Sequence, residues 1–181
     1  KISWYKGADL YGLDQLTQLI GLLVKDYPRI KLVVCFWDYQ AGDASRLREL
    51  RDMAEAAGAA KAIMLNTERG TMLPILAQAD IFVRPTITDG DANSIREALA
   101  LGIPTIASDV VERPSGCITF RNQDVADLER VVRNTLEESR VKRGPRDLVI
   151  SDDVMKTIEK YLDALSDLAG LGRRKQHDND R

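Results

Sequence analysis

The sequence predicts a doubly wound α/β fold, a parallel sheet with helices on both faces. Two observations carry this expectation. Short apolar runs alternate with segments of helical spacing along most of the chain. Those runs are continuous rather than alternating in polarity, the pattern of strands buried on both faces. No internal repeat or low-complexity segment interrupts them, and 181 residues suit one domain or slightly more.

The elements follow in order. Residues 2–5, ISWY, open as a strand. Leu13, Leu16, Leu19, Ile20 and Leu23 then recur at helical spacing within residues 13–27. KLVVCFW at 31–37 reads as a buried strand. Residues 45–58 form a helix, with Ser45 as N-cap and Gly58 as the stop. KAIML at 61–65 is a strand, residues 72–79 a short helix, and DIFVRP at 80–85 a strand halted by Pro85. Residues 94–101 form a helix closed by Gly102. PTIAS at 104–108 and GCITF at 116–120 are strands, and 125–139 is a helix. A charged connector at 140–150 leads to a last amphipathic helix, with Val154, Ile158, Tyr161, Leu162, Leu165 and Leu168 on one face. The expected organisation is a ligand-binding α/β domain over 1–150, a helix over 151–169 and a polar tail over 170–181.

Composition narrows the function. Hydrophobic residues make up 44% and charged residues 30%, with a formal net charge of −2. No global field favours nucleic acid. The apolar runs are too short to span a bilayer, and no secretory signal is visible. Cys35 and Cys117 read as small buried hydrophobes rather than a disulfide or a metal pair. The single histidine, His177, lies in the tail, which disfavours a Ser-His-Asp triad or a His-ligated zinc. There is no G-x-x-x-x-G-K-[ST], and no G-x-G-x-x-G after the first strand.

In open parallel sheets, ligands bind at the carboxyl ends of strands. The best equipped end is residues 88–102, TDGDANSIREALALG. Its helix start offers unpaired N–H groups and about half a positive charge, which suits a phosphate. Gly90 and Ala92 allow close approach of a ligand to the backbone, and Ser94 could cap the helix or bond a phosphate oxygen. Asp89 could accept bonds from sugar hydroxyls, and Glu97 from the vicinal hydroxyls of a ribose. The same residues also make sense without a ligand. Asp-Gly is a common turn pair, and an acid near a helix start is favoured by the dipole alone.

PTITDGDANSIREALALGIPTIASDV also resembles a family signature. That signature is a strand ending in Pro, then E-G-[FY]-G-x-x-x-x-E-A-[ML]-A-x-G-x-P-[VI]-[VI]-A-[ST]-[DN]. It belongs to the retaining GT-B glycosyltransferases of family 4, often labelled group 1. The likeness continues through YGLDQLTQLIGLL, LAQADIFVRPT, VADLERVVRNTLEE and DDVMKTIEKYLDAL. It implies a Rossmann-like, C-terminal donor-binding half of a two-domain enzyme, taking a sugar from a nucleoside diphosphate with retention. By the resemblance, Glu97 binds the ribose and Asp89 contacts the transferred sugar. The backbone of Asp91, Ala92, Asn93, Ser94 and Ile95 meets the sugar and diphosphate. In one register the family's basic pair falls on Lys6 and Tyr11, of which only Lys6 is cationic; in another, Lys6-Gly7 matches the family's Lys-Gly and its Arg is left unmatched. Arg69, Arg84 or Arg96 could supply the missing charge. The chain also departs from the family with Asp89 for Glu and with Asp91-Ala92 for the aromatic-glycine pair.

The resemblance implies no metal and no cofactor beyond the donor, with a uridine diphosphate sugar favoured. The acceptor would be a glycan, a lipid-linked glycan or a small molecule, met through a missing N-terminal domain. The fragment alone would not turn over. A cytoplasmic enzyme at the inner membrane face is expected, and the tail's GRRK could touch anionic lipid. Two other readings stay open: a degenerate transferase-like binding module, and half of a sugar-nucleotide epimerase. Trp4 and Trp37 read as core aromatics rather than base-stacking groups. Arg113-Pro114 reads as a surface turn, though it could approach the donor sugar.

Overall fold

The computed structural model describes residues 4–5, 8–35, 44–66, 72–90 and 92–142. The chain divides into two units, Lys1–Gly144 and Pro145–Arg181, and every described residue belongs to the first. Trp37, Arg69, His177, the last amphipathic helix and the tail lie outside the described residues.

In chain order the elements are β1 (Trp4–Tyr5), β2 (Ala8–Asp9), α1 (Leu13–Leu23), β3 (Leu32–Cys35), α2 (Ala44–Ala56) and β4 (Ile63–Asn66). They continue with α3 (Leu73–Leu76), β5 (Phe82–Arg84), α4 (Asn93–Ala100), β6 (Thr105–Ser108), β7 (Ile118–Phe120) and α5 (Val125–Lys142). β3 and β4 pair in parallel, and so do β5, β6 and β7 in that order. The expected parallel α/β architecture is present.

Several local expectations are corrected. The first strand does not run parallel to the others; it folds back as an antiparallel pair, Trp4 opposite Asp9 and Tyr5 opposite Ala8. Two intervening residues can only return a chain antiparallel. Ser45 does not precede α2, because the helix already includes Ala44. α5 runs on to Lys142, into the stretch read as a connector. Both cysteines are free but only half-buried. Burial still pushes both thiols up, so neither is poised as a nucleophile.

The described strands form separate sheets, β1–β2, β3–β4 and β5–β6–β7, and the main core lies between the two parallel ones and helices α1 and α5. Leu13, Leu16, Leu19 and Leu23 of α1 meet Ile106, Phe120, Leu128, Val131 and Val132 there, with Leu32, Val34 and Val83 packed against them. On the opposite face, Leu76, Ala98 and Ile103 bury Phe82. β6 is buried at all four positions, as continuous apolar patterning requires. β3 and β4 depart from it. Val33 and Met64 are register partners, and they stay 41% and 54% exposed.

Two helices end as their glycines predicted. Gly58 and Gly102 take φ of +69° and +67°. Gly58 N–H bonds Glu55 and Ala59 N–H bonds Ala54, while Gly102 N–H bonds Leu99 and Ile103 N–H bonds Ala98. This paired closure uses the orphan carbonyls of each last turn.

Candidate functional site

The carboxyl ends of β5 and β6 converge on one place. β5 ends at Arg84 and β6 at Ser108. The Ser108 hydroxyl donates to the Thr86 carbonyl at 2.6 Å, which ties the two strand ends together. The turn after β2 joins them: Ile87 N–H bonds the Leu10 carbonyl at 3.1 Å, and the Gln15 amide bonds the Pro85 carbonyl at 3.3 Å. Tyr11, on that turn, is 41% exposed. The turn that carries Tyr11 is therefore tied to the loop that carries Asp89.

Asp89 sits at the centre. Its Oδ2 accepts from Arg84 Nε at 2.8 Å, Arg113 Nη1 at 2.8 Å and Thr86 Oγ1 at 3.0 Å. Its Oδ1 accepts from Arg84 Nη2 at 2.9 Å and from Gly90 N–H at 3.0 Å. A carboxylate offers about four acceptor positions, and these five donors occupy them. Burial pushes the Asp89 carboxyl up, but the hydrogen bonds from Arg84 and Arg113, the Arg84 charge and the Thr86 hydroxyl outweigh it. They hold the carboxyl well below the usual carboxylate range. Asp89 is thus ionised and internally satisfied.

Pro114 to Cys117 do form an exposed turn, but the Arg113 side chain beside it is turned inwards, contrary to expectation. Its side chain is 3% exposed. Its Nε donates to the Ser108 carbonyl at 2.8 Å, and its Nη2 to the Ser108 hydroxyl at 3.2 Å. No local pattern marks this. The only signal was an Arg shortly after a strand end, and its partner lies 24 residues away.

Three helix starts differ in a way that matters for anions. At α1, Asp9 accepts from the N–H groups of Tyr11 and Asp14 at 3.0 and 3.2 Å and from that of Leu13. At α5, Asp124 accepts from Asp127 N–H at 2.9 Å. Both starts are filled by the chain's own carboxylates. At α4, Ala92 is the N-cap, and among the described residues no side chain accepts from the first amides of the helix. The positive end of α4 is left open to an external anion.

The remaining candidates fall as follows. Asn93 and Ser94 form the first turn of α4. Ile95 is fully buried, and its N–H bonds the Ala92 carbonyl at 3.0 Å, so it serves the helix start itself. A Cβ placed on Gly90 would meet nothing within 4 Å, so nothing in the described chain crowds that position. Glu97 is half-buried on α4, and among the described residues its carboxylate has no hydrogen-bond partner. Burial pushes its carboxyl up. Donors from a ligand would relieve that cost. Lys6 and Asp91 lie outside the described residues. Among the described residues, no group of three or more His, Cys, Asp or Glu side chains could hold a metal ion, and no helix is long and apolar enough to cross a membrane.

A family model described as glycosyl transferases group 1 matches residues 8–138. Among solved structures, the fold is similar to sucrose-phosphate synthase from Thermosynechococcus elongatus. Identity there is 15% and the TM-score 0.63, over 88% of this chain and 43% of that one. Anabaena HepE, solved in complex with UDP and glucose, gives 15% and 0.63 over 88% and 46%. The C-terminal domain of a glycosyl transferase group 1 family protein, LpcC, from Francisella tularensis gives 17% and 0.63 over 83% and 80%. The chain spans less than half the length of the first two. No curated protein matches at a significant level.

Proposed function

This chain belongs to the glycosyl transferases of group 1, and on that premise we propose that it binds the nucleoside-diphosphate-sugar donor of a retaining sugar transfer. The open start of α4 carries this reading, since α1 and α5 are capped by Asp9 and Asp124, and among the described residues no side chain caps α4. The diphosphate sits on the Asn93 and Ser94 amides. Glu97, in the next turn with a free carboxylate, takes the ribose hydroxyls. When the bond from the sugar's anomeric carbon to the diphosphate breaks, negative charge grows on the leaving phosphate. Fixed N–H groups and the positive helix end stabilise that charge as it forms.

The likeness to the C-terminal domain of LpcC and to HepE, solved with UDP and glucose, supports the donor side of the reaction. The acceptor, a glycan, lipid-linked glycan or small molecule, belongs to the portion of such enzymes that this chain does not match. The reading needs no metal, so EDTA leaves donor binding unchanged.

The test is a thermal-shift titration with UDP, GDP, ADP and their sugars. A ligand at about 100 times its dissociation constant adds roughly 2.7 kcal/mol of stability. One diphosphate series should raise the melting temperature. The Glu97→Ala variant, compared with its own ligand-free melting temperature, should lose that rise. A rise that survives Glu97→Ala would sink the ribose assignment.

A further inference from the structure

We infer that Arg84 is the cation that meets the donor's diphosphate, and that Asp89 and Arg113 are positioning residues that hold it there. The inference rests on the donor-site reading above and deepens it.

The geometry runs as a chain of contacts. Arg113 is 3% exposed and spends its donors on Ser108 and Asp89, so it is sealed away from any ligand. Asp89, 7% exposed, is pinned by Arg113 and Thr86. Pinned in that way, it grips Arg84 through Nε and Nη2 in a two-pronged contact. Such forked pairs fix the guanidinium plane as well as its position. Arg84 is 26% exposed, the most open of the three. Its remaining nitrogen, Nη1, reaches Ser94 Oγ at 3.5 Å, in the first turn of α4. That contact is at the limit of a hydrogen bond and does not saturate the donor.

Charge supports the same assignment. Two guanidinium groups on one carboxylate leave one net positive charge. Asp89 already balances the buried Arg113, so the excess lies on the more exposed Arg84. The end of β5 therefore presents N–H donors to whatever occupies the start of α4, with the Asp89 carboxylate already satisfied from within the chain. An oxyanion fits it and a sugar hydroxyl does not call for it. The family resemblance, in one register, sets the basic pair on Lys6 and Tyr11, on a different stretch of chain. Here the cation comes from the end of β5.

The experiment compares binding of the best nucleoside diphosphate with that of the matching nucleoside, which has no phosphates. Arg84→Gln should weaken the diphosphate by about tenfold or more, the scale of one charged hydrogen bond, and leave the nucleoside unchanged. Arg84→Lys, which keeps the charge but loses the fork to Asp89, should recover only part of the loss. Asp89→Asn should weaken the diphosphate selectively too, with folding checked by circular dichroism. The dependence of diphosphate binding on salt should flatten in Arg84→Gln. If diphosphate and nucleoside weaken together, or if Arg84→Gln changes neither, the assignment of Arg84 is overturned while the donor site stands. If no nucleoside diphosphate binds the unaltered chain, the donor-site reading falls and this inference falls with it.

Discussion

Asp89→Ala should cost about 3 kcal/mol of folding stability, because removing one partner of a buried ion pair strands the other. The stranded group is Arg113, which is 3% exposed and has no route to water. Arg84, at 26%, recovers part of its hydration and adds less. Urea unfolding at neutral pH measures the loss. A double variant, Asp89→Leu with Arg113→Met, removes both buried charges and should regain more than half of it. The pH dependence carries a definite sign. The folded-state carboxyl of Asp89 is held below its unfolded value of about 3.9. Its contribution is therefore complete above about pH 5 and fades as pH falls through the acid range. The gap between the parent and Asp89→Ala should narrow on acidification. A gap that widened would mean that the carboxyl is not stabilised in its ionised form.

Gly12→Ala should be about as damaging, for a different reason. Gly12 takes φ of +69°, where an L-residue costs about 1–2 kcal/mol. A Cβ there would also lie 2.2 Å from the Pro85 carbonyl oxygen, a backbone atom that cannot swing away. Gly102→Ala is the matched control. It has nearly the same φ, +67°, with nothing within 4 Å of the added atom. Gly102→Ala should show the conformational cost alone, about 1–2 kcal/mol. Gly12→Ala should exceed it by about 2 kcal/mol or more, the cost of overpacking against fixed backbone. Equal losses would mean that the turn after β2 is not pressed against the end of β5. Because that same contact ties Leu10 to Ile87, Gly12→Ala should also weaken donor binding.

How much of this was legible in the sequence depends on the range of each interaction. Among the described residues, strands β3 to β7 and helices α1 to α5 lie within a few residues of where apolar spacing set them, because periodicity is a local property. Gly58 and Gly102 are equally local, and both closures appear as expected. The loop into α4 and Glu97 were legible from residue types and from the family signature together. The antiparallel β1–β2 pair was not, since two-residue strands carry no periodicity. Nor was the fate of Asp89. The residue was found, but its acceptor positions are filled by Arg84 and Arg113, and Arg113 arrives from the β6–β7 connection. Arg113 itself was misread for that reason. Asp9 was passed over, although an acid just ahead of an amphipathic helix is a recognisable capping signal. Its role shows why α4, and not α1, is the helix start left open.

The most direct test of the donor-site account is an amide NMR titration of the chain with the nucleoside diphosphate that binds best. The account places the diphosphate on the Asn93 and Ser94 amides, so those signals should move most, with Gly90 and Glu97 next. Amides of Tyr11, Leu13 and Asp14, capped by the Asp9 carboxylate, should move little. The largest shifts at residues 10–14, with the start of α4 unmoved, would contradict it.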